Sequence, residues 1–167
     1  EDKIANTVFT SSYSYRHGYF DPVEREFRGF ARVEQFDTDE FSQFKLNGAF
    51  NVVEEELHQA PVKSIKWNHT GAFLKNNKIL NQCESEYFVN EDFTEHIFPD
   101  FELPTGLTAD EEVEAYRTLK GLTLRGEVYG LDDSLLAEYP YAASQSNATV
   151  RLIQPKLGNK HACFQVV

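Results

Sequence analysis

The chain has 167 residues, about the size of one domain, and can bury most of its apolar surface without disulfides or a structural metal. Its 27 acidic residues outnumber its 16 lysines and arginines, for a formal net charge of −11. Binding nucleic acid requires a basic surface, so nucleic acid is a poor partner. No apolar run of about 18 residues is present, so no membrane-spanning helix is predicted.

The first predicted element is an antiparallel hairpin over residues 15–36. Aromatic residues alternate along its first strand, which places Tyr13, Tyr15 and Tyr19 on one face. Pro22 ends this strand because proline fixes its own φ and disfavours helix in the residue before it. The second strand resumes near Phe27.

Two arginines of the second strand, Arg28 and Arg32, can pair with neighbouring glutamates, namely Glu24, Glu26 and Glu34. We expect these to be exposed ion pairs that contribute only about 0–1 kcal/mol each. The aromatic residues are therefore predicted to stabilise the hairpin. Trp67, further along the chain, is interpreted as a core residue and not as a platform for stacking sugars.

One helix is strongly indicated, over residues 109–120. Thr108 and Glu111 form a capping-box pattern at its start, and Gly121 is suited to end it. Its buried stripe is predicted to consist of Val113, Tyr116 and Leu119.

Three strands are predicted after the helix. The first covers residues 122–129 and is followed by a turn at Gly130 and Asp132–Asp133, and the others cover 148–154 and 162–167. The predicted fold class is mainly β, built from antiparallel hairpins, with one packed α-helix near 109–120.

No catalytic constellation is recognisable. The sequence lacks a Gly-x-Ser-x-Gly elbow and a glycine-rich phosphate loop. Thr10–Ser12 and Glu54–Glu56 can be compared with the Ser-Thr-Ser and Glu-x-Glu motifs of an ADP-ribosyltransferase. The comparison fails because the arginine that should precede the serine motif is missing. The chain is therefore predicted not to be an enzyme, and no catalytic or cofactor-binding residue is assigned.

Metal binding is not predicted either. The five histidines do not occur at a ligand spacing or beside another likely ligand: His17, His58, His69, His96 and His161. Asp37–Asp39 begins like a calcium loop but lacks its later glycine and glutamate, so a turn is the better interpretation. Cys83 and Cys163 are interpreted as two buried free thiols, with a disulfide as the alternative.

Four segments, in order, resemble one known family. They are Tyr13–Glu34, Pro61–Phe73 with its Trp-x-His-Thr-Gly pattern, Glu114–Tyr129, and Pro140–Tyr141 followed by Val150–Pro155. They are similar to the middle region of the B component of toxin-complex (Tc) insecticidal toxins, the SpvB-type proteins. Residues 38–60 and 74–108 match less closely.

The resemblance implies a structural function. B components, together with the RHS-repeat C component, build a β-sheet shell around a cytotoxic domain, so a shell-like sheet is expected here. The implied partners are the C component with its enclosed toxin domain and, through the rest of the B chain, the A component. Neither nucleic acid nor direct membrane contact is implied, and the implied localisation is secreted.

The chain lacks methionine, and its last residues read as part of a strand. We therefore expect residues 1–167 to be a single structural segment excised from a larger polypeptide.

Two other functions stay open on the sequence alone. One is a free β-sandwich module that binds a carbohydrate or protein ligand on its aromatic face. The other is a glycosidase-like enzyme whose carboxylates lie on separate strands, about 5–10 Å apart in a pocket.

Overall fold

The computed structural model describes residues 9–39, 60–73, 78–90 and 101–167. Glu54–Glu56, His58 and His96 lie outside these residues. The described elements, in chain order, are β1 (Phe9–Asp21), β2 (Glu26–Asp39), β3 (Val62–Asn68), α1 (Lys78–Glu84), β4 (Phe101–Glu102), α2 (Ala109–Thr118), β5 (Thr123–Gly130), β6 (Ala142–Gln145), β7 (Ala148–Gln154) and β8 (Cys163–Val166).

The strands form two sheets. The larger has five strands in the order β1-β2-β3-β5-β6, and all of its neighbours are antiparallel. The smaller has the order β4-β7-β8, in which β4 runs parallel to β7. The predicted fold class, mainly β with a packed helix, is confirmed; the short helix α1 was not predicted.

The predicted hairpin is confirmed as β1 and β2. Asp21 shapes its tip by accepting hydrogen bonds from the N–H groups of Val23 and Glu24, at 3.0 and 3.1 Å. The strands stay paired as far as Phe9 and Asp39, so the turn predicted at Asp37–Asp39 is wrong. Asp37 is held in the ladder because its carboxylate accepts a hydrogen bond from Ser11 Oγ at 2.5 Å.

The expectation of one aromatic face holds for only part of β1. Tyr13 and Tyr15 are exposed and stack with their centroids 6.4 Å apart, whereas Tyr19 lines a pocket beside α2. Between Tyr15 and Tyr19, His17 has a left-handed backbone (φ 55). A left-handed residue interrupts the alternation of a strand, which an alternation count cannot anticipate.

Helix α2 begins as predicted. The Thr108 side chain accepts from the N–H of Glu111, and the Glu111 carboxylate accepts from the N–H of Thr108 at 2.9 Å. The helix ends at Thr118, two residues earlier than expected, with Leu119 as its C-cap. Gly121 then takes the left-handed conformation (φ 86).

Two hydrophobic clusters occupy the interior. One lies against the larger sheet and contains the following buried residues: Ala31, Ile65, Trp67, Cys83 and Tyr129. The other joins α2 to the smaller sheet through Ala115, Leu119 and Val150. Trp67 is fully buried, which confirms it as a core residue. Within the described ranges, neither helix has the length and apolar character needed to cross a bilayer.

Replacing the helix cap tests how far α2 depends on local bonding. We expect Thr108→Ala to lower the free energy of unfolding by about 0.5–2 kcal/mol, because one N–H of the first turn loses its acceptor. Thr108→Ser keeps the hydroxyl and should stay close to the parent. Equal unfolding midpoints for the parent and Thr108→Ala in a urea titration would contradict a stabilising cap.

Candidate functional site

The most highly organised polar group of the structure is a buried ionic layer on β5. Glu127 is 1% exposed and accepts hydrogen bonds from Arg125 Nε at 2.7 Å, from the hydroxyl of Tyr129 at 2.7 Å and from the N–H of Phe88 at 2.9 Å. Arg125 also donates from Nη2 to the carbonyl oxygen of Phe88 at 3.2 Å. Glu127 and Arg125 of β5 therefore bond both the N–H and the carbonyl oxygen of Phe88.

Phe88 belongs to the segment that follows α1. The ring of Tyr87 packs edge-on against Trp67, with centroids 4.9 Å apart, and Arg125 lies 5.0 Å from the centroid of Tyr87. Aromatic packing and a cation–π contact thus supplement the hydrogen bonds. We call residues 78–90 the covering segment, because they cover one face of the larger sheet.

The same segment is fastened to the hairpin. Glu86 lies 2.7 Å from Nε2 of His17 and 3.3 Å from Nε of Arg32, and Arg32 also pairs with Glu34. The predicted exposure of Arg28 and Arg32 is wrong, since both are buried. Arg28 pairs with Asp21 and Glu26 at the tip. The aromatic residues alone were predicted to stabilise the hairpin, but these buried charged side chains also form part of its interior.

The protonation states and burial of the ionic layer are suited to a structural role. Burial, followed by the hydrogen bond to Glu127, raises the pKa of Tyr129, so its hydroxyl remains a donor at physiological pH. Glu127 has its oxygens occupied by donors, and its neighbours exclude solvent. An acid or base catalyst must reach a substrate, and this carboxylate has no such access.

A second polar junction connects two of the segments that carry the family resemblance. At the end of β3, the ring Nδ1 of His69 accepts from the N–H of Gly71 at 2.8 Å. The backbone of His69 bonds to Leu122 and Gly121, both at 2.8 Å. The His-Thr-Gly sequence therefore docks on the end of α2.

Glycine is required at the centre of this junction. Gly71 has φ 71, and a Cβ there would lie 3.0 Å from Cβ of Lys120 and 3.3 Å from the carbonyl oxygen of Arg117. The left-handed backbone and the close approach both disfavour a side chain. The sequence motif is thus explained by packing.

A pocket of about 500 Å³ lies between the hairpin tip, α2 and the turn after β7. Its charged walls pair with one another: Arg117 with Glu24, Lys156 with Asp110 and His161 with Glu114. Burial by itself would raise the pKa of the Glu114 carboxyl. The N–H of Ala162 and the ring of His161 outweigh this effect, so that the pKa is lowered. A glycosidase needs a carboxylic acid that stays protonated, whereas this pocket favours the ionised form of Glu114.

Across the described ranges, no group of three or more histidine, cysteine or acidic side chains could hold a metal ion. His17 and His161 each contact a glutamate, and His69 is buried in the junction. Cys83 and Cys163 do not form a disulfide. Cys83 is buried as expected, but Cys163 is exposed, so that part of the prediction is wrong.

The hairpin presents an exposed aromatic strip, which we define as Tyr13, Tyr15, Phe27 and Phe30. Tyr15 and Phe30 have centroids 5.0 Å apart, and Phe27 and Phe30 are 5.1 Å apart. All four rings are exposed. Gly18 leaves room for the strip, since a Cβ there would lie 3.0 Å from the Phe30 ring.

Sequence reasoning missed the ionic layer. In the strand predicted over residues 122–129, Arg125, Glu127 and Tyr129 alternate with Leu124 and Val128, but nothing in the sequence marks the face of the three polar residues as buried. The clue available was the spacing of two residues between an arginine, a glutamate and a tyrosine, which allows all three side chains to meet on one side of a strand.

Removing the buried carboxylate should be costly. We expect Glu127→Gln to lower the free energy of unfolding by about 3–5 kcal/mol, because Arg125 is left as a buried charge without its partner. Glu24→Gln is the matched control: it removes the same charge from an exposed pair with Arg117 and should cost at most about 1 kcal/mol. Similar losses for both variants in denaturant titrations would contradict the special role of the layer.

His69 gives the fold a defined pH dependence. Burial lowers its pKa to about 4, against about 6.5 in the unfolded chain, so the unfolded state takes up the proton first as pH falls. The stability that the neutral ring contributes is complete above pH 6.5 and declines between about 6.5 and 4, by up to about 3 kcal/mol. The non-titrating variant His69→Gln should lack this decline.

The measurement is the difference in unfolding free energy between the parent and His69→Gln at several pH values. This difference removes the contribution of the carboxylates, which both proteins share. A difference that stays constant from pH 7 to pH 4, or a His69 ring that titrates near pH 6.5 by NMR, would show that the ring is not held neutral.

Comparison with known proteins identifies relatives of this architecture. Residues 1–50 match the model of the insecticide toxin TcdB middle/N-terminal region, and residues 114–167 match that of the TcdB middle/C-terminal region. No curated protein matches the chain.

Solved structures agree with these matches. The crystal structure of TcdB2–TccC3 is 28% identical with a TM-score of 0.77, and the complex that also contains Cdc42 is 27% identical with a TM-score of 0.77. A Tc holotoxin pore from Photorhabdus luminescens, with a mutation in TccC3, is 26% identical with a TM-score of 0.78.

The matches cover 100% of this chain but only 7–8% of the chains they match. The two family models match it in chain order and include the hairpin, the second half of α2 and the whole of β5 to β8. The chain therefore belongs to the middle region of the B component of insecticidal toxin complexes.

Proposed function

We propose that this chain forms part of the wall of a β-sheet shell, in which a B component and an RHS-repeat C component enclose a cytotoxic domain. The observation that carries the proposal is the long hairpin at one side of the larger sheet. Its outer strand, β1, has 13 residues and lies at the sheet edge among the described strands. Exposed edges of this length favour pairing with a further strand.

The hairpin combines an exposed aromatic strip with charged groups that are mostly removed from solvent. The rings of the strip are exposed, while His17 and Arg32 fasten the hairpin to Glu86 of the covering segment. Exposed contiguous aromatic surface is typical of a contact with other protein. A neighbouring section of the shell is the occupant we propose for it.

The proposed partners follow from the relatives. TcdB2 is described in complexes with TccC3, and another matching structure is that of a Tc holotoxin pore with a mutation in TccC3. By analogy, this chain would contact the C component or its enclosed domain, and would be linked to the A component through the rest of a B chain. We also propose that it is secreted as part of such a complex.

We propose further that residues 1–167 act as one structural segment without enzymatic activity. Helix α2 supports this, because it packs on Val150 of the smaller sheet, while the turn that follows it bonds to His69 at the end of β3 in the larger sheet. Most charged side chains of the pocket beside α2 contact one another in pairs. Its surface is therefore better suited to holding elements together than to binding a substrate.

The wall proposal predicts effects on assembly without effects on toxin chemistry. Tyr13→Ser combined with Tyr15→Ser, placed in a complete B component, should yield fewer complexes with the C component or an enclosed domain that proteases reach more readily. Both rings are about half exposed (52% and 53%), so the fold of the chain itself should change little. Complex formation is measured by size-exclusion chromatography and protection by limited proteolysis.

Leu157→Ser, an exposed apolar residue in the turn after β7, is the control and should assemble normally. The toxin domain, once released and assayed alone, should be equally active from complexes carrying Glu24→Gln, Arg28→Gln or His69→Ala. Unchanged assembly and protection in the tyrosine variant would contradict the wall role. Turnover of a nicotinamide dinucleotide or a glycan by the chain, abolished by one carboxylate substitution, would contradict the absence of activity.

A further inference from the structure

The loop that joins β5 to β6, residues 131–141, exposes large apolar side chains to solvent to an unusual extent. Leu135 is 95% exposed and Leu136 is 73% exposed. Tyr139 and Tyr141 are exposed in the same loop, and Val89 of the covering segment is exposed next to Phe88, whose ring lies 5.5 Å from that of Tyr139. We call these five exposed apolar residues the leucine loop patch, namely Leu135, Leu136, Tyr139, Tyr141 and Val89.

The loop is held in shape by its own bonds. Asp132 accepts from the N–H of Ser134 at 3.1 Å, the hydroxyl of Ser134 accepts from the N–H of Leu136 at 3.2 Å, and the N–H of Ala137 donates to the carbonyl oxygen of Ser134 at 3.1 Å. Asp133 adopts a left-handed backbone (φ 57), a conformation that costs free energy in a non-glycine residue.

Both ends of the loop are anchored to the sheet. The N–H of Leu131 donates to the carbonyl oxygen of Pro61 at 2.8 Å, and the N–H of Tyr141 donates to that of Val128 at 2.9 Å. The structure thus presents two leucines to solvent from a strained, ordered loop. Such a presentation is unfavourable for the isolated fold and indicates selection for a contact.

The segment that contains the loop carries only negatively charged side chains, although Lys63 of the neighbouring strand lies 4.3 Å from the ring of Tyr129, two residues before the loop. Between Arg125 and Arg151 there is no lysine, arginine or histidine, whereas Asp132, Asp133 and Glu138 lie within the loop. Complementary charge guides which partner binds. An occupant with apolar side chains flanked by lysine or arginine satisfies both the leucines and the carboxylates.

We propose that the leucine loop patch docks an apolar, positively charged segment of a second protein subunit. A separate subunit is favoured over a part of the same chain because the loop is already ordered by its own bonds. A preformed surface needs little further ordering when a folded partner arrives, which lowers the entropic cost of association. This inference does not depend on the wall proposal, since the loop is neither β1 nor the aromatic strip.

The first test uses a defined probe. A fluorescein-labelled peptide of about 14 residues, with leucines at helical spacing and lysines between them, is titrated into the chain and followed by anisotropy. A peptide with glutamate in place of every lysine is the charge control. We expect saturable binding of the lysine peptide that weakens with added salt, and much weaker binding of the glutamate peptide.

Variants locate the binding. Leu135→Ser with Leu136→Ser should weaken the lysine peptide about tenfold or more, while Leu157→Ser, equally exposed elsewhere, should leave it unchanged. Asp133→Asn with Glu138→Gln should reduce the dependence on salt. Absent binding, equal binding of both peptides, or equal loss in the Leu157 variant would each overturn the proposal.

The second test identifies the source of the occupant. Leu135→Cys is placed in a complete B component together with Cys163→Ser, and maleimide labelling at position 135 is followed by peptide mapping. We expect rapid labelling in the B component alone and slow labelling once a second subunit is bound. Slow labelling already in the B component alone would show that another part of the same chain covers the patch. Rapid labelling in every assembly would show that no subunit binds there. Either result overturns the proposal.

Discussion

A carboxylate that is almost completely removed from water determines how the larger sheet is built. Glu127 needs donors on all sides, because an ionised group in a dry interior is strongly unfavourable when it is left without partners. Arg125 and Tyr129 supply two of them from the same strand, and the backbone of Phe88 supplies a third. The covering segment is therefore positioned by the requirements of a charge as much as by its apolar contacts. Its placement in turn buries Trp67 and Cys83, and it brings Glu86 to His17 and Arg32.

A second constraint joins the two sheets. His69, directly after β3, exchanges backbone hydrogen bonds with the turn after α2, and Gly71 lets the two segments approach more closely than any residue with a side chain could. On its other side, α2 holds the turn after β7, because Glu111 accepts from the N–H of Lys156 and Glu114 from that of Ala162. Two glutamates one turn apart on a helix can thus fix two points of a neighbouring loop. The helix acts as a tie between sheets, and the pocket beside it is a by-product of that arrangement.

Local signals in the sequence predicted much of this fold. The hairpin, the capping box at Thr108 and the strand over residues 148–154 were all predictable, because each depends on neighbours in sequence. The ionic layer was not, since the burial of Arg32 and Glu127 is decided by a segment about 40 to 55 residues away. The left-handed backbone of His17 was equally unpredictable, because only a small fraction of histidines adopt it even though histidine is enriched there. As a result, Tyr19 was assigned to the wrong surface and the arginines of β2 to solvent.

The contrast between the charged residues and the aromatic strip of the hairpin connects the fold to its proposed role. The charged groups are satisfied by fixed partners, so sliding of β1 or β2 by one residue would separate His17 and Arg32 from Glu86 and expose buried charge. Register is thereby held by electrostatics and not only by the turn. The rings of the aromatic strip contact each other but no covering element among the described residues. A hairpin whose register is fixed by these ion pairs can present the strip in a constant geometry, and a constant geometry is what the proposed packing of strands into a closed wall demands.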